Sequence, residues 1–155
     1  MTGNIDRRLA ELKLELPNAP SPVSNFLPAV QSGNLLFVSG QTCHWNGERH
    51  FVGKLGGEIS LEQGQKAARL CALNLLAQAK RFLAGDLDRI VRVVRLGGFV
   101  NGTPAFGDQP KVLNGASDVM VDVFGDAGRH SRTAVGAAAL PGGVAVEIEA
   151  VFEIR

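Results

Sequence analysis

An α+β domain, with helices packed on one face of a mixed sheet, is the fold class this sequence predicts, on three observations. Residues 144–154 alternate without a break: Val144, Val146, Ile148, Ala150, Phe152 and Ile154 share one side, and Ala145, Glu147, Glu149, Val151 and Glu153 the other. That is the period of a strand with one apolar face. Ser60 and Gln63 form a capping box ahead of a long proline-free run rich in alanine, leucine, lysine and arginine, which marks a helix start. Strand-like and helix-like segments also interleave along the chain, so the helices have a sheet to cover.

The elements follow in order. Ile5, Leu9, Leu12 and Leu16 recur at helical spacing with charges between them, predicting a short amphipathic helix over 5–14 that Pro17, Pro20 and Pro22 terminate. Residues 26–31 and 35–39 are apolar runs around Ser32-Gly33-Asn34 and read as a β-hairpin. Between Thr42 and Gly57 the chain is polar and glycine-rich, with Trp45, Phe51 and Val52 among its few large apolar residues; a third strand is expected near 50–54. The helix after Ser60 stops at Gly85, a residue suited to a C-terminal cap. Residues 90–100 are rich in β-branched side chains and predict a long strand, with Gly97-Gly98 as a bulge. Asp108-Gln109-Pro110 opens the second main helix and Gly125 ends it, as proline inside the start and glycine past the end do. Two strands complete the domain.

Composition narrows the function. With 155 residues, 45% hydrophobic and 20% charged, the chain is the size of one domain with an ordinary core; 1–17 reads as an N-terminal helical extension and 18–155 as the domain proper. A net charge of +1, with basic and acidic residues intermixed, makes nucleic acid an unlikely partner. No apolar stretch approaches the ~20 residues of a membrane span, so no membrane partner is expected and a cytoplasmic location is. Cys43 and Cys71 suggest no secreted disulfide framework and are expected to be reduced.

Two side chains stand out chemically. Arg132 begins a strand in which Ala134 and Gly136 share its face, so a guanidinium projects beside nearly bare positions. Such a group grips a carboxylate through two parallel donors; pairing with a nearby acidic residue is the alternative. Glu147 lies on the mixed face of the last strand. If the last two strands pair through the turn at Leu140-Pro141-Gly142-Gly143, it comes close to Arg132, where a carboxylate can orient or deprotonate a water; otherwise it is a solvated strand glutamate. His44, His50 and His130 fit no HxH, HExxH or CxxC pattern, so no metal is expected. Ser39 sits in no GxSxG elbow. The glycine clusters match neither a P-loop nor a dinucleotide fingerprint.

Several pieces together resemble one family. Phe26-Leu27-Pro28-Ala29-Val30, the stretch from Gly33-Asn34 to Ser39-Gly40-Gln41, Asn114, and above all Arg132, Ala134-Val135, Leu140-Pro141 and Val146-Glu147-Ile148-Glu149 are similar to the Rid (reactive intermediate deaminase) family. This family is also called YjgF-like, endoribonuclease L-PSP or translation initiation inhibitor. The resemblance implies a chorismate mutase-like fold, two main helices on one sheet face, and a homotrimer with clefts between subunits. It implies a hydrolase that deaminates 2-imino acids and enamines such as 2-aminoacrylate to 2-keto acids and ammonia, without a cofactor. Arg132 would then hold the substrate carboxylate and Glu147 the attacking water, with Phe26, Ser39, Asn114 and Ala134 lining the cleft. Phe26 stands where deaminating members usually carry tyrosine, and Ala134 where many carry cysteine. The alternatives are a non-catalytic trimer that binds a small carboxylate or a protein, or an endoribonuclease or translation inhibitor as the old labels say.

Overall fold

The computed structural model describes residues 3–155. Its sheet runs β1 (Ala29–Ser32), β2 (Leu35–Thr42), β7 (Val146–Ile154), β5 (Ile90–Asn101), β6 (Ser131–Ala137) from edge to edge. All neighbours are antiparallel except β5 and β6, which are parallel because α3 (Gln109–Phe124) carries the chain across between them. A separate two-stranded ribbon joins β3 (His44–Trp45) to β4 (Glu48–Arg49). The expected α+β class with a mixed sheet is what the chain adopts.

The capping box is formed. Ser60 Oγ accepts from the Gln63 amide and Gln63 Oε1 from the Ser60 amide, at 3.2 and 2.9 Å, starting α2 (Leu61–Phe82). At its other end the Gly85 amide bonds the Lys80 carbonyl and the Ala84 amide the Arg81 carbonyl, the pairing of a Schellman cap. Ala84 itself is left-handed, with φ 53°. Helices α2 and α3 pack together on one sheet face, α2 over β2 and β7, α3 over β5 and β6. Val144, Val146, Ile148, Ala150, Phe152 and Ile154 all lie buried beneath them, as the alternation requires.

Four expectations change. The first helix, α1 (Asn4–Glu11), ends earlier than 14 because Lys13 turns left-handed and the Leu14 amide closes on the Leu9 carbonyl. Leu9 is buried, α1 packs against α3, and the Asn4 and Ile5 amides are capped by Asp88. The first hairpin strand starts at Ala29, since Phe26, Leu27 and Pro28 lie outside the ladder. No strand forms at 50–54; only Val52 bridges, to Val144, and the ribbon forms upstream instead. Gly97 and Gly98 hold regular register, and the irregularities fall earlier, between Ile90 and Arg92 and between Val93 and Arg95.

Those glycines serve packing. A Cβ on Gly98 would strike the Leu113 side chain of α3, and one on Gly97 would meet Glu149 Oε1 at 2.8 Å. The tightest helix contact is Gly115 of α3, where a Cβ would collide with the main-chain carbonyl of Gln65 on α2. Backbone cannot swing aside as a side-chain tip can, so Gly115→Ala is expected to cost about 2–3 kcal/mol and to lower the melting temperature by roughly 5–10 °C. An unchanged melting curve would mean the two helices are not held this close.

Candidate functional site

The strand order divides the candidate residues into two groups. Arg132 lies opposite Leu96 on β5, a buried residue of the helix-facing side, so its side chain rises toward α3. There Nη1 donates to Asn114 Oδ1 at 2.9 Å and to Ser117 Oγ at 3.1 Å, and Nη2 to the Pro110 carbonyl at 3.2 Å. Among the described residues no carboxylate pairs with it, which removes the ion-pair alternative. Ala134 and Gly136 follow on the same face; Ala134 packs against the core, and Gly136 lies against Gln109. β6 is the edge strand, so this row borders open space.

Glu147 is elsewhere. β6 does not pair with β7, because β5 stands between them, and this corrects the expectation that the Leu140–Gly143 turn would bring Arg132 and Glu147 together. The segment instead forms a 3-10 turn, Pro141–Gly143, and Ala145 bonds the Phe51 carbonyl. Glu147 pairs with Thr42 on β2 and Phe99 on β5, one residue before buried Ile148, and so faces away from the helices. Two strand spacings and three residues along the strands separate it from Arg132, roughly 10 Å in each direction. Within one chain the two side chains do not meet.

Around Glu147 is a cleft of about 460 Å³, walled by Pro20, Pro22, Phe26, His44, Asn74 and Pro141 among others. It opens at the edge of β2 beyond Val38, where β1 no longer pairs. The structure places Phe26 and Glu147 in the same cleft and leaves Phe26 half-exposed. Burial, aided by the charge of Glu149, raises the Glu147 carboxyl above its ordinary value, the direction that makes its carboxylate a stronger proton acceptor. Gly40 makes the room: a Cβ there would collide with Glu147 Oε1. Ser39, beside it at the β2 irregularity, spends its hydroxyl on the Leu27 carbonyl at 2.8 Å, which ties the Phe26 segment to β2.

Sequence reasoning missed three neighbours. His44 lies in the cleft, two residues beyond Glu147's cross-strand partner and hydrogen-bonded to Thr42 Oγ1. Burial first, then the charges of Arg49 and His50, hold it below the ordinary imidazole pKa. Buried Asn74 fixes that segment by donating to the His44 carbonyl at 2.7 Å. His130, weighed like His44 only as a metal ligand, contacts Ser117, beside Arg132. None of these has a spacing signal, because each contact joins segments far apart in the chain or irregular in shape. Cys43 and Cys71 are free and buried. Among the described residues no cluster of potential metal ligands occurs, and no helix is long and apolar enough to cross a membrane.

The open sheet face carries Val30 (48% exposed), Phe37 (45%), Phe99 (37%) and Val135 (42%). Val30 pairs with Phe37, and Phe99 with Val135, so these are neighbours in two rows rather than scattered residues.

Comparison with known proteins gives consistent relatives. The family model described as YjgF/chorismate mutase-like, putative endoribonuclease, matches residues 6–148. Protein TCP17 of Trypanosoma cruzi is 45% identical over 155 residues, 99% of this chain and 96% of the relative. The crystal structure of a protein of unknown function from Agrobacterium tumefaciens is 46% identical, with a TM-score of 0.91 over 97% of this chain and 92% of that one. A protein of Shewanella oneidensis described as a putative endoribonuclease is 34% identical, with a TM-score of 0.92 over 97% and 99%. RidA from an Antarctic Psychrobacter is similar at 27% identity, with a TM-score of 0.61 over 88% and 94%.

Proposed function

This chain belongs to the YjgF/chorismate mutase-like family, and on that premise we propose that it hydrolyses 2-imino acids and enamines such as 2-aminoacrylate to 2-keto acids and ammonia. The observation that carries the reading is Arg132, a guanidinium at a sheet edge, held by neutral acceptors and, among the described residues, without a carboxylate partner. A cation so placed is ready for an anionic ligand. The working unit is a homotrimer. β6 is one free edge of the sheet and the Glu147 cleft opens beside the free part of β2, so a closed head-to-tail ring sets the Arg132 of one subunit against the Glu147 of the next. The exposed rows Val30–Phe37 and Phe99–Val135 supply apolar surface for that ring.

In the reaction, Arg132 anchors the carboxylate of the imine. Glu147 takes a proton from water as its oxygen attacks the imine carbon, and the imine nitrogen gains a proton from solvent. The carbinolamine then collapses: its hydroxyl gives its proton to solvent as the C=O bond forms, the C–N bond breaks, Glu147 returns its proton to the departing nitrogen, and keto acid and ammonia leave. Asn114 and Ser39 position the groups on either side of the cleft, Phe26 walls it, and Ala134 leaves the strand accessible. An imine is already electrophilic, so a held carboxylate and a placed water meet most of the chemical need, and no cofactor is required. The test is keto-acid release from 2-aminoacrylate generated enzymatically in the presence of purified protein. Release no faster than the spontaneous rate, from protein of confirmed fold, removes the deaminase reading.

A further inference from the structure

The groups that hold Arg132 determine which part of its guanidinium is left for a ligand. His130 Nδ1 lies 2.6 Å from the Gly128 carbonyl. A carbonyl only accepts, so Nδ1 carries the proton. Burial, reinforced by the Arg132 charge, lowers the affinity of this ring for a second proton, and the neutral ring therefore offers a lone pair at Nε2. Ser117 Oγ, 2.9 Å away, must then donate its hydrogen to Nε2, which leaves its oxygen lone pairs for Arg132 Nη1 at 3.1 Å. Asn114 takes the other Nη1 hydrogen and the Pro110 carbonyl one Nη2 hydrogen. Of the five donors a guanidinium has, the Nε–H and one Nη2–H remain. The Nε–H and the Nη2–H beside it point the same way, and a carboxylate accepts such a pair bidentately, provided that the Pro110 carbonyl takes the other Nη2 hydrogen.

We propose that His130 and Ser117 are positioning residues that act as a directed relay, committing Nη1 to the protein so that the Nε/Nη2 edge of Arg132 faces the substrate carboxylate. The proposal rests on the reading of Arg132 as a carboxylate anchor. A hydroxyl bonded only to Arg132 could rotate between donor and acceptor roles; the imidazole removes that freedom. The link spans α3, the 3-10 turn Gly125–Gly128 and the start of β6, so three elements must be in place before the arginine points correctly.

Nitrogen-15 NMR of the intact protein tests this without any assay of turnover. His130 is expected to show the neutral ring protonated at Nδ1, and the Arg132 Nε–H signal to be resolved and to shift on titration with pyruvate. Ser117→Ala is expected to broaden that Nε–H signal and to weaken pyruvate binding about tenfold, the effect of losing one bond to a charged group. Ser117→Thr, which keeps the hydroxyl, and His130→Gln, whose amide oxygen can accept from Ser117, restore most of both. Thermal unfolding of these variants should differ little from the parent. Proton on Nε2 instead of Nδ1 overturns the relay, as does a Ser117→Ala protein with unchanged Nε–H signal and pyruvate affinity. Should the parent bind no pyruvate while the tautomer and the Ser117→Ala broadening of the Nε–H signal are as expected, the relay stands and the carboxylate reading of Arg132 falls.

Discussion

Arg132→Ala is expected to lower kcat/KM for 2-imino acids by about 100-fold or more, because it removes two charge-assisted bonds to the substrate carboxylate, each contributing about 1.5–3 kcal/mol. Arg132→Lys keeps the charge but not the planar fork, and is expected to lose roughly tenfold or more in affinity for pyruvate or 2-oxobutyrate. Folding survives both changes. The side chain's own bonds, to Asn114, Ser117 and the Pro110 carbonyl, lie on a half-exposed edge, and their loss should lower the melting temperature by no more than a few degrees. Calorimetric titration beside melting curves separates the roles. An Arg132→Ala protein that melts far below the parent yet binds keto acids equally well makes this a structural arginine.

The second large effect is at Glu147. Replacing a general base costs about 10²–10⁴ in rate, so Glu147→Gln is expected to lose that much in kcat with little change in KM. In the parent, activity should rise with pH through the raised Glu147 pKa, since the reaction needs the carboxylate. Stability moves the opposite way. Burial raises the folded pKa above the unfolded one, so this group's contribution to stability is fully present below the unfolded value of about 4.3 and is lost as pH rises through the folded value. Glutamine cannot ionise. Glu147→Gln should therefore melt above the parent at pH 7 and level with it at about pH 4 or below. A variant that melts below the parent at pH 7 marks Glu147 as a structural acceptor.

Much of this was legible in the residues. The capping box at Ser60, the alternation through 144–154 and the stop at Gly125 each depend on chemistry within a few positions, and each forms as the local pattern demands. Pairing was not legible. The two C-terminal strands are neighbours in sequence and could pair through their turn, but a period of two gives a strand its faces and not its partner. β6 takes β5 because α3 covers the crossover between them. Gly97-Gly98 fitted a bulge or a close approach equally well, and only the position of Leu113 on a distant helix decides for the second. The 42–57 stretch lacks periodicity because its ribbon is held by side chains, Asn74 to the His44 carbonyl and Cys43 to the His50 carbonyl. For the site, the motif pointed to Arg132, Glu147 and Phe26, whereas the fold sets Arg132 and Glu147 apart in each chain and adds Ser117 and His130 behind the arginine.

That separation yields the most direct test of a cleft shared between subunits. Arg132→Ala and Glu147→Gln proteins, each inactive alone, are to be unfolded together in equal amounts, refolded and assayed for keto-acid release from 2-aminoacrylate. If every cleft draws Arg132 from one subunit and Glu147 from its neighbour, random assembly leaves about one cleft in four with both groups intact. About a quarter of the parent activity should then return, in a species of trimeric mass. Mixtures as inactive as their components, in protein that has exchanged subunits, would contradict the shared cleft and with it the proposed roles of Arg132 and Glu147.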